Sequence, residues 1–256
     1  MRRVVIFAYG VSAYVLFLAT FLYAIGFIGN FGVPRTIDGP ASGSLAVAIA
    51  IDVALLGLFA VQHSVMARRG FKQWLTRFIP EPAERSTYVL FSSLALIALF
   101  VAWRPLGGVV WDVDSPVGRA ALHSVFATGW LVVLACTFLI NHFDLFGLRQ
   151  VWLQLRGRPY TQLDFATPWP YRVVRHPLYV GWLLAFWATP TMTLAHLLFA
   201  LATTGYILIA IQLEERDLVA AHGASYAEYR QRVPMLVPRL RRNDEARVPG
   251  EHAPVG

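Results

Sequence analysis

Arg175-His176-Pro177 stands directly against the apolar run "PLYVGWLLAF", and Glu214-Glu215 ends another such run further along the chain. A proline suits the first turn of a helix, where its missing N–H is not needed. His176 then falls near the helix N-cap, where free backbone N–H groups and the helix dipole favour an anion. Glutamates can accept hydrogen bonds from an ammonium group or a diol. Taken alone, the arginines also read as basic anchors at a membrane boundary, and the glutamates as the solvated start of a polar helix. A second grouping is "NHFDLFGLRQ", which holds His142, Asp144 and Arg149. His142 and Asp144 are candidates for general-base work. Their i, i+2 spacing does not favour one helix face, but a helix end could present both. Arg149 could pair with Asp144 or steady an anion. His63 lies inside an apolar run, and Asp52 lies eleven residues, or three turns, earlier on the same face. An ionisable group within a span costs about 2.5 kcal/mol or more and is a functional candidate for that reason. The alternatives are an interhelical hydrogen bond for His63 and a position near the outer surface for Asp52. Glu84-Arg85 reads as a surface pair, with Tyr88 able to reach a pocket. His123 reads as interfacial. No HExxH or paired-cysteine spacing is present, so no metal site is expected.

The elements that carry these residues are membrane helices. Of the 256 residues, 57% are hydrophobic and only 14% charged, and mean hydropathy is +0.53. A soluble domain is nearer 45–50% apolar and about 25% charged. Spans of about 20 apolar residues are expected at 4–28, 45–66, 88–103 and 120–140, then at 177–188 and 194–213. The last two are joined by "TPTMT" and read as a hairpin, the first of them short for a full crossing. The expected fold is therefore all-α, a polytopic membrane bundle of about six spans with a cytoplasmic C-terminal helical segment. A single domain covers 1–242, and 243–256 reads as a disordered tail. The net charge of +7 does not point to nucleic acid, because the basic residues sort by loop. With the N-terminus inside, 19 of the 22 Lys and Arg fall in cytoplasmic segments, leaving Arg35, Arg104 and Arg119 outside. That bias sets an orientation with both termini cytoplasmic. Trp103 and Trp111 read as outer-interface anchors, Trp152 and Trp169 as inner ones. The single cysteine, Cys136, lies in an apolar run and reads as a small buried hydrophobe.

"RHPLYVG" followed by "EERDLVAAHGASYAEYRQRVP" resembles the C-terminal signature of isoprenylcysteine carboxyl methyltransferases, over about 171–238. Phospholipid N-methyltransferases share the Arg-His-Pro and Glu-Glu elements. The resemblance implies S-adenosylmethionine as cofactor, with Tyr171, His176, Pro177, Tyr179 and Glu214 lining its pocket and Arg175, Gly181 and Glu215 close by. The tyrosines offer faces to adenine or sulfonium, and Gly181 allows close approach. The prenylcysteine enzymes hold their substrate's carboxylate with an arginine one turn before the glutamate. Here that position is Ala210, and Ile207 to Leu213 carries no cation. A neutral or small acceptor follows from that departure.

"FLYAIGFIGN", "AVQHSVMARRGFKQWLTRFIP", "ERSTYVLFSSL" and "INHFDLFGLRQV" are similar to bacterial methanethiol S-methyltransferases, and to the wider NnrU-like membrane family. This similarity covers nearly the whole chain. It implies an enzyme of the bacterial inner membrane that methylates methanethiol or a similar small thiol to dimethyl sulfide, without a protein partner and among membrane lipids. Such a reaction needs positioning, a water-poor pocket and a base, because the thiolate is the nucleophile. His142, Asp144, Arg149 and His63 are the candidates. The alternatives are methylation of an isoprenoid or lipid, or a non-enzymatic transporter or accessory protein of the NnrU type.

Overall fold

The computed structural model describes residues 1–41, 43–161, 163 and 168–238. Its helices are α1 (Arg2–Gly29), α2 (Leu45–Ala67), α3 (Arg69–Leu75), α4 (Glu84–Ala102), α5 (Pro116–Ile140), α6 (His142–Leu145), α7 (Leu148–Leu155), α8 (Trp169–Val173), α9 (Pro177–Trp187), α10 (Leu194–His222) and α11 (Ala224–Arg232). Each long apolar run ends at residues that cannot continue it. Ser115 opens α5 by accepting from the Gly118 N–H, with Pro116 in the first turn. Thr193 opens α10 by accepting from the His196 N–H. Five stretches are long and apolar enough to cross a membrane: Arg2–Gly29, Leu45–Ala67, Glu81–Ala102, Pro116–Ile140 and Leu194–Ala221. The chain is a polytopic helical membrane protein.

The sixth expected span is different in kind. α9 has 11 residues, about 16 Å of helix, against about 30 Å of hydrocarbon. The "TPTMT" link is a strand rather than a plain turn. β2 (Thr191–Thr193) pairs antiparallel with β1 (Val109–Asp112). Threonine suits a pleated, half-buried position, and here Thr191 also donates to the Asp112 carboxylate at 2.6 Å. α10 compensates by being long. Its first twenty residues cover about 30 Å, which puts Glu214 and Glu215 at the far edge of the apolar layer and the rest of the helix beyond it.

Two places show why small residues occupy the core. α5 and α9 form the most intimate helix pair in the molecule. A Cβ on Gly129 would meet the Ala185 nitrogen at 2.6 Å, and one on Gly181 would meet the Gly129 carbonyl oxygen at 2.9 Å. Gly181 therefore admits the backbone of α5, rather than a bound molecule, and this close crossing fixes the base of α9. Gly129→Ala is expected to cost about 1–3 kcal/mol through forced separation of the two helices, measured as a lower unfolding temperature in detergent. The second place is Gly147, which joins α6 to α7 at φ 87° and whose Cβ would lie 2.8 Å from the Ser86 nitrogen. That turn folds α7 back onto α1, where Val151 is buried beneath Gly10.

At the opposite end, Trp103 does not anchor an interface. It is buried, and its indole N–H donates to the Ile37 carbonyl at 3.0 Å. Asp52 is fully buried and accepts from the Arg104 backbone N–H at 2.9 Å. Asp52 and His63 share a face of α2 but lie about 16 Å apart along it. Each is bonded to different elements.

Candidate active site

The Arg-His-Pro and Glu-Glu segments meet where α9 begins and α10 leaves the apolar layer. Glu215 is the hub. One carboxylate oxygen accepts from Arg175 Nε at 2.7 Å and lies 3.0 Å from His176 Nε2. The other accepts from Arg230 Nε of α11 at 3.1 Å. Glu215 is 2% exposed and His176 4%. A charge so shielded persists only when paired and hydrogen-bonded. Arg175 also donates to the Arg230 and Val233 carbonyls. The backbone N–H groups of Arg175 and His176 bond to the Pro234 and Met235 carbonyls. The C-terminal segment is thus clamped across the start of α9. The donors that sequence alone offered to a cofactor carboxylate are already engaged by the chain itself. Pro177 is buried in the first turn.

Glu214 is in the opposite situation. Its side chain is 47% exposed, and Tyr179 donates to it at 3.1 Å. His176 Nδ1 is 3.9 Å away. Beside this carboxylate sits Tyr171, whose hydroxyl is buried, with the Cys136 thiol as its polar neighbour. Burial raises the Tyr171 phenol above the usual range, so the hydroxyl stays protonated. Tyr229 fixes the backbone here by donating to the Tyr171 carbonyl at 2.5 Å. Burial pushes the Tyr229 phenol up to about 12. The result is an acceptor-rich patch in which one carboxylate and one phenol have capacity left over.

A second polar group lies where α2 meets α4 and α10. The Tyr88 hydroxyl is 2.7 Å from His63 Nε2, and His63 Nδ1 is 3.2 Å from the Ser92 hydroxyl. His63 stacks on Phe59. Ser64 and Tyr206 are joined at 3.1 Å. The Tyr206 and Tyr88 hydroxyls both lie within electrostatic reach of Tyr179. His63 therefore ties α2 to α4 through Tyr88 and Ser92, beside the Ser64–Tyr206 contact that ties α2 to α10.

His142 and Asp144 are not brought together. His142 is buried between Phe138 and Phe146, with Nε2 2.8 Å from the Tyr14 hydroxyl and Nδ1 2.9 Å from Thr137 Oγ1. Burial lowers its pKa below the usual histidine value. Asp144 points elsewhere. It pairs with Arg149 at 2.9 Å and accepts from Tyr160 at 3.3 Å. Arg149 also donates to Thr161. Helix end α6 does present both residues, as the spacing allows, but to different neighbours. Both ring nitrogens of His142 are spent on holding α6 to α1 and α5.

No protein-family model matches the chain, and no solved structure does. Curated relatives do. The chain is 59% identical to methanethiol S-methyltransferase of Crocosphaera subtropica over 93% of both chains. It is 55% identical to methanethiol S-methyltransferase of Mycobacterium tuberculosis over 93% of this chain and 98% of that one. The chain belongs to the methanethiol S-methyltransferase family. Nurim of Mus musculus is a more distant relative, 33% identical over 68% of this chain and 70% of its own.

For this methanethiol S-methyltransferase family member, three features of the site were hidden in the sequence. Glu215, and not Glu214, is the buried partner of Arg175 and His176. Successive residues on a helix point about 100° apart, and only the packing decides which one faces in. Arg230 completes the hub from a helix that reads simply as polar. Glu84 and Arg85 form no pair with each other among the described residues; the Arg85 side chain turns toward Tyr88 instead. Two open, apolar grooves mark the surface. One runs along α5 and α9 with Leu236 and Val237, and the other lies between α1 and α5, beside His123.

Proposed function

We propose that the protein is an S-adenosylmethionine-dependent methyltransferase acting on methanethiol or a similar small thiol. The observation that carries this reading is the division of labour between the two glutamates. Glu215 is consumed by the fold, while Glu214 keeps a carboxylate oxygen without a partner among the described residues, next to two protonated tyrosines. That arrangement fits the cofactor's chemistry. Glu214 would accept from the ammonium or the ribose hydroxyls, and Tyr171 and Tyr179 would flank adenine or sulfonium. Arg175, His176 and Pro177 would hold the wall that these residues stand on. S-adenosylmethionine, when bound, supplies a methyl group open to displacement by sulfur.

The chain's own contribution to that displacement is to position the thiol and take its proton. A free thiol ionises at about 8.5 or above, so a neutral-pH reaction needs a base. Tyr88 and His63 supply a route. The thiol proton passes to the Tyr88 oxygen while the Tyr88 proton passes to the His63 ring, whose Nε2 and Nδ1 lie 2.7 and 3.0 Å from that oxygen, with Ser92 3.2 Å from Nδ1. Ala210 leaves the last turn before Glu214 without a cation, which suits a neutral acceptor. Residues 1–242 act as one membrane domain, with the cofactor part in 171–238. The tail at 243–256 lies outside the described residues. We further propose the bacterial inner membrane as its location, with both termini cytoplasmic, because 19 of the 22 basic residues fall in the segments read as cytoplasmic from the sequence.

Isotope-labelled S-adenosylmethionine and purified protein in detergent test the cofactor assignment. Saturable binding is expected, weakened about tenfold or more in Glu214→Ala by loss of a charged hydrogen bond. No saturable binding by the wild type would point instead to a non-enzymatic membrane protein.

A further inference from the structure

α3 presents a surface that the rest of the fold leaves uncovered. α2 has 23 residues, about 34 Å of helix, enough to cross about 30 Å of hydrocarbon. Arg68 then turns extended, at φ −71° and ψ 141°, so α3 leaves the axis of α2 at the boundary of the apolar layer. Arg68 also pairs at 3.0 Å with Asp217, which follows Glu214 and Glu215 on α10. That pair puts α3 on the face of the bundle that holds the candidate site. No residue of α3 is buried. Phe71, Trp74 and Phe78 share one side at i, i+3 and i+7, with ring centres 5.2 Å apart at each step. Trp74 is 49% exposed and Phe78 70%.

Charge says what covers this surface. Residues 68–79 hold four Lys and Arg and neither Asp nor Glu. Asp217 takes Arg68, and Glu84 is within electrostatic reach of Lys72. Arg69 and Arg77 are exposed and form no ion pair among the described residues. Aromatic rings favour the boundary between acyl chains and headgroups, and basic residues beside them are drawn to anionic lipid. A second copy of the chain is a poor occupant, because matching faces would set Arg69 and Arg77 against their own kind. We propose that α3 and the turn after it form an in-plane anchor for anionic phospholipid. Trp74 and Phe78 enter the acyl boundary, and Arg69 and Arg77 hold headgroup phosphates. A guanidinium meets a phosphate with two parallel hydrogen bonds, which fixes the lipid as well as attracting it.

Fluorescence quenching tests the anchor on the full chain reconstituted in bilayers of phosphatidylcholine and phosphatidylglycerol. One lipid at a time carries bromine high on its acyl chains. The wild-type signal less that of Trp74→Phe isolates Trp74, and the same subtraction is made in the Arg69→Gln/Arg77→Gln background. Trp74 in the wild type is expected to favour phosphatidylglycerol over phosphatidylcholine about fivefold or more, and in the double variant less than about twofold. Quenching of the remaining tryptophans should not change, which shows that the double variant is folded. Equal quenching by the two lipids in the wild type would overturn the proposal, and so would a preference that survives in the double variant. Trp74 shielded from both lipids would give the face to a second copy of the chain and overturn it too. Loss of the preference in inorganic phosphate, but not in sodium chloride at matched ionic strength, would assign the arginines to free phosphate and reject the lipid.

Discussion

Glu215→Ala is expected to lower stability by about 3–5 kcal/mol, whereas Glu214→Ala leaves it within about 1 kcal/mol. The difference follows from burial. Removing Glu215 strands Arg175, which is 10% exposed on its side chain, beside a histidine that is 4% exposed. Breaking a shielded ion pair from one side costs that much because the remaining charge has no water to return to. The clamp formed by Val233, Pro234 and Met235 depends on Arg175 and should loosen with it. Glu214 is nearly half exposed and, among the described residues, accepts a hydrogen bond from Tyr179 with His176 3.9 Å away, so its loss leaves little uncompensated. Thermal unfolding in detergent, read alongside cofactor binding, separates the two. Glu215→Ala should lose both fold and binding, and Glu214→Ala binding alone. Equal effects of the two substitutions on unfolding would show that the hub has been placed on the wrong glutamate.

Tyr88→Phe is expected to reduce turnover about a hundredfold while the affinity for S-adenosylmethionine stays within twofold. General-base assistance contributes on the order of 10²–10⁴ in rate, and the phenylalanine removes the oxygen through which His63 would act. His63→Ala should match it. In both variants the rate should recover partly as pH rises, because the thiol then ionises without help. A base that merely holds the helices would not give that pH dependence. His142→Ala should behave differently. It leaves the part-buried Tyr14 hydroxyl without its partner and removes the tie from α6 to α1 and α5, and so lowers stability by about 1–2 kcal/mol, with turnover per folded molecule little changed. A turnover loss confined to His142→Ala, with Tyr88→Phe unaffected, would move the proton acceptor to α6.

Much of this molecule could be read from its residues, for physical reasons. Long apolar runs have few structural options in lipid, so five of the six spans follow from length and hydropathy alone. The Arg-His-Pro and Glu-Glu segments converge as their resemblance implies. What escaped the sequence depends on contacts between distant segments. β2 exists because β1, eighty residues earlier, supplies its partner. Trp103 looked like an interface residue, but the Ile37 carbonyl gives its indole N–H a buried acceptor. Gly181 looked like room for a ligand, yet Gly129 fills that room. His142 and Asp144 both stand on the helix end α6, as their spacing allowed, but Tyr14 and Thr137 take the one and Arg149 the other. Orientation of a side chain within one helical turn is set by packing, and no local pattern encodes it.

The most direct measurement is dimethyl sulfide in the headspace over purified protein supplied with S-adenosylmethionine and methanethiol, with Glu214→Ala in parallel. The account predicts product from the wild type and at least a tenfold drop for Glu214→Ala at subsaturating cofactor. Saturable cofactor binding without dimethyl sulfide would contradict the thiol as acceptor. Product formed equally well by Glu214→Ala would contradict the site itself.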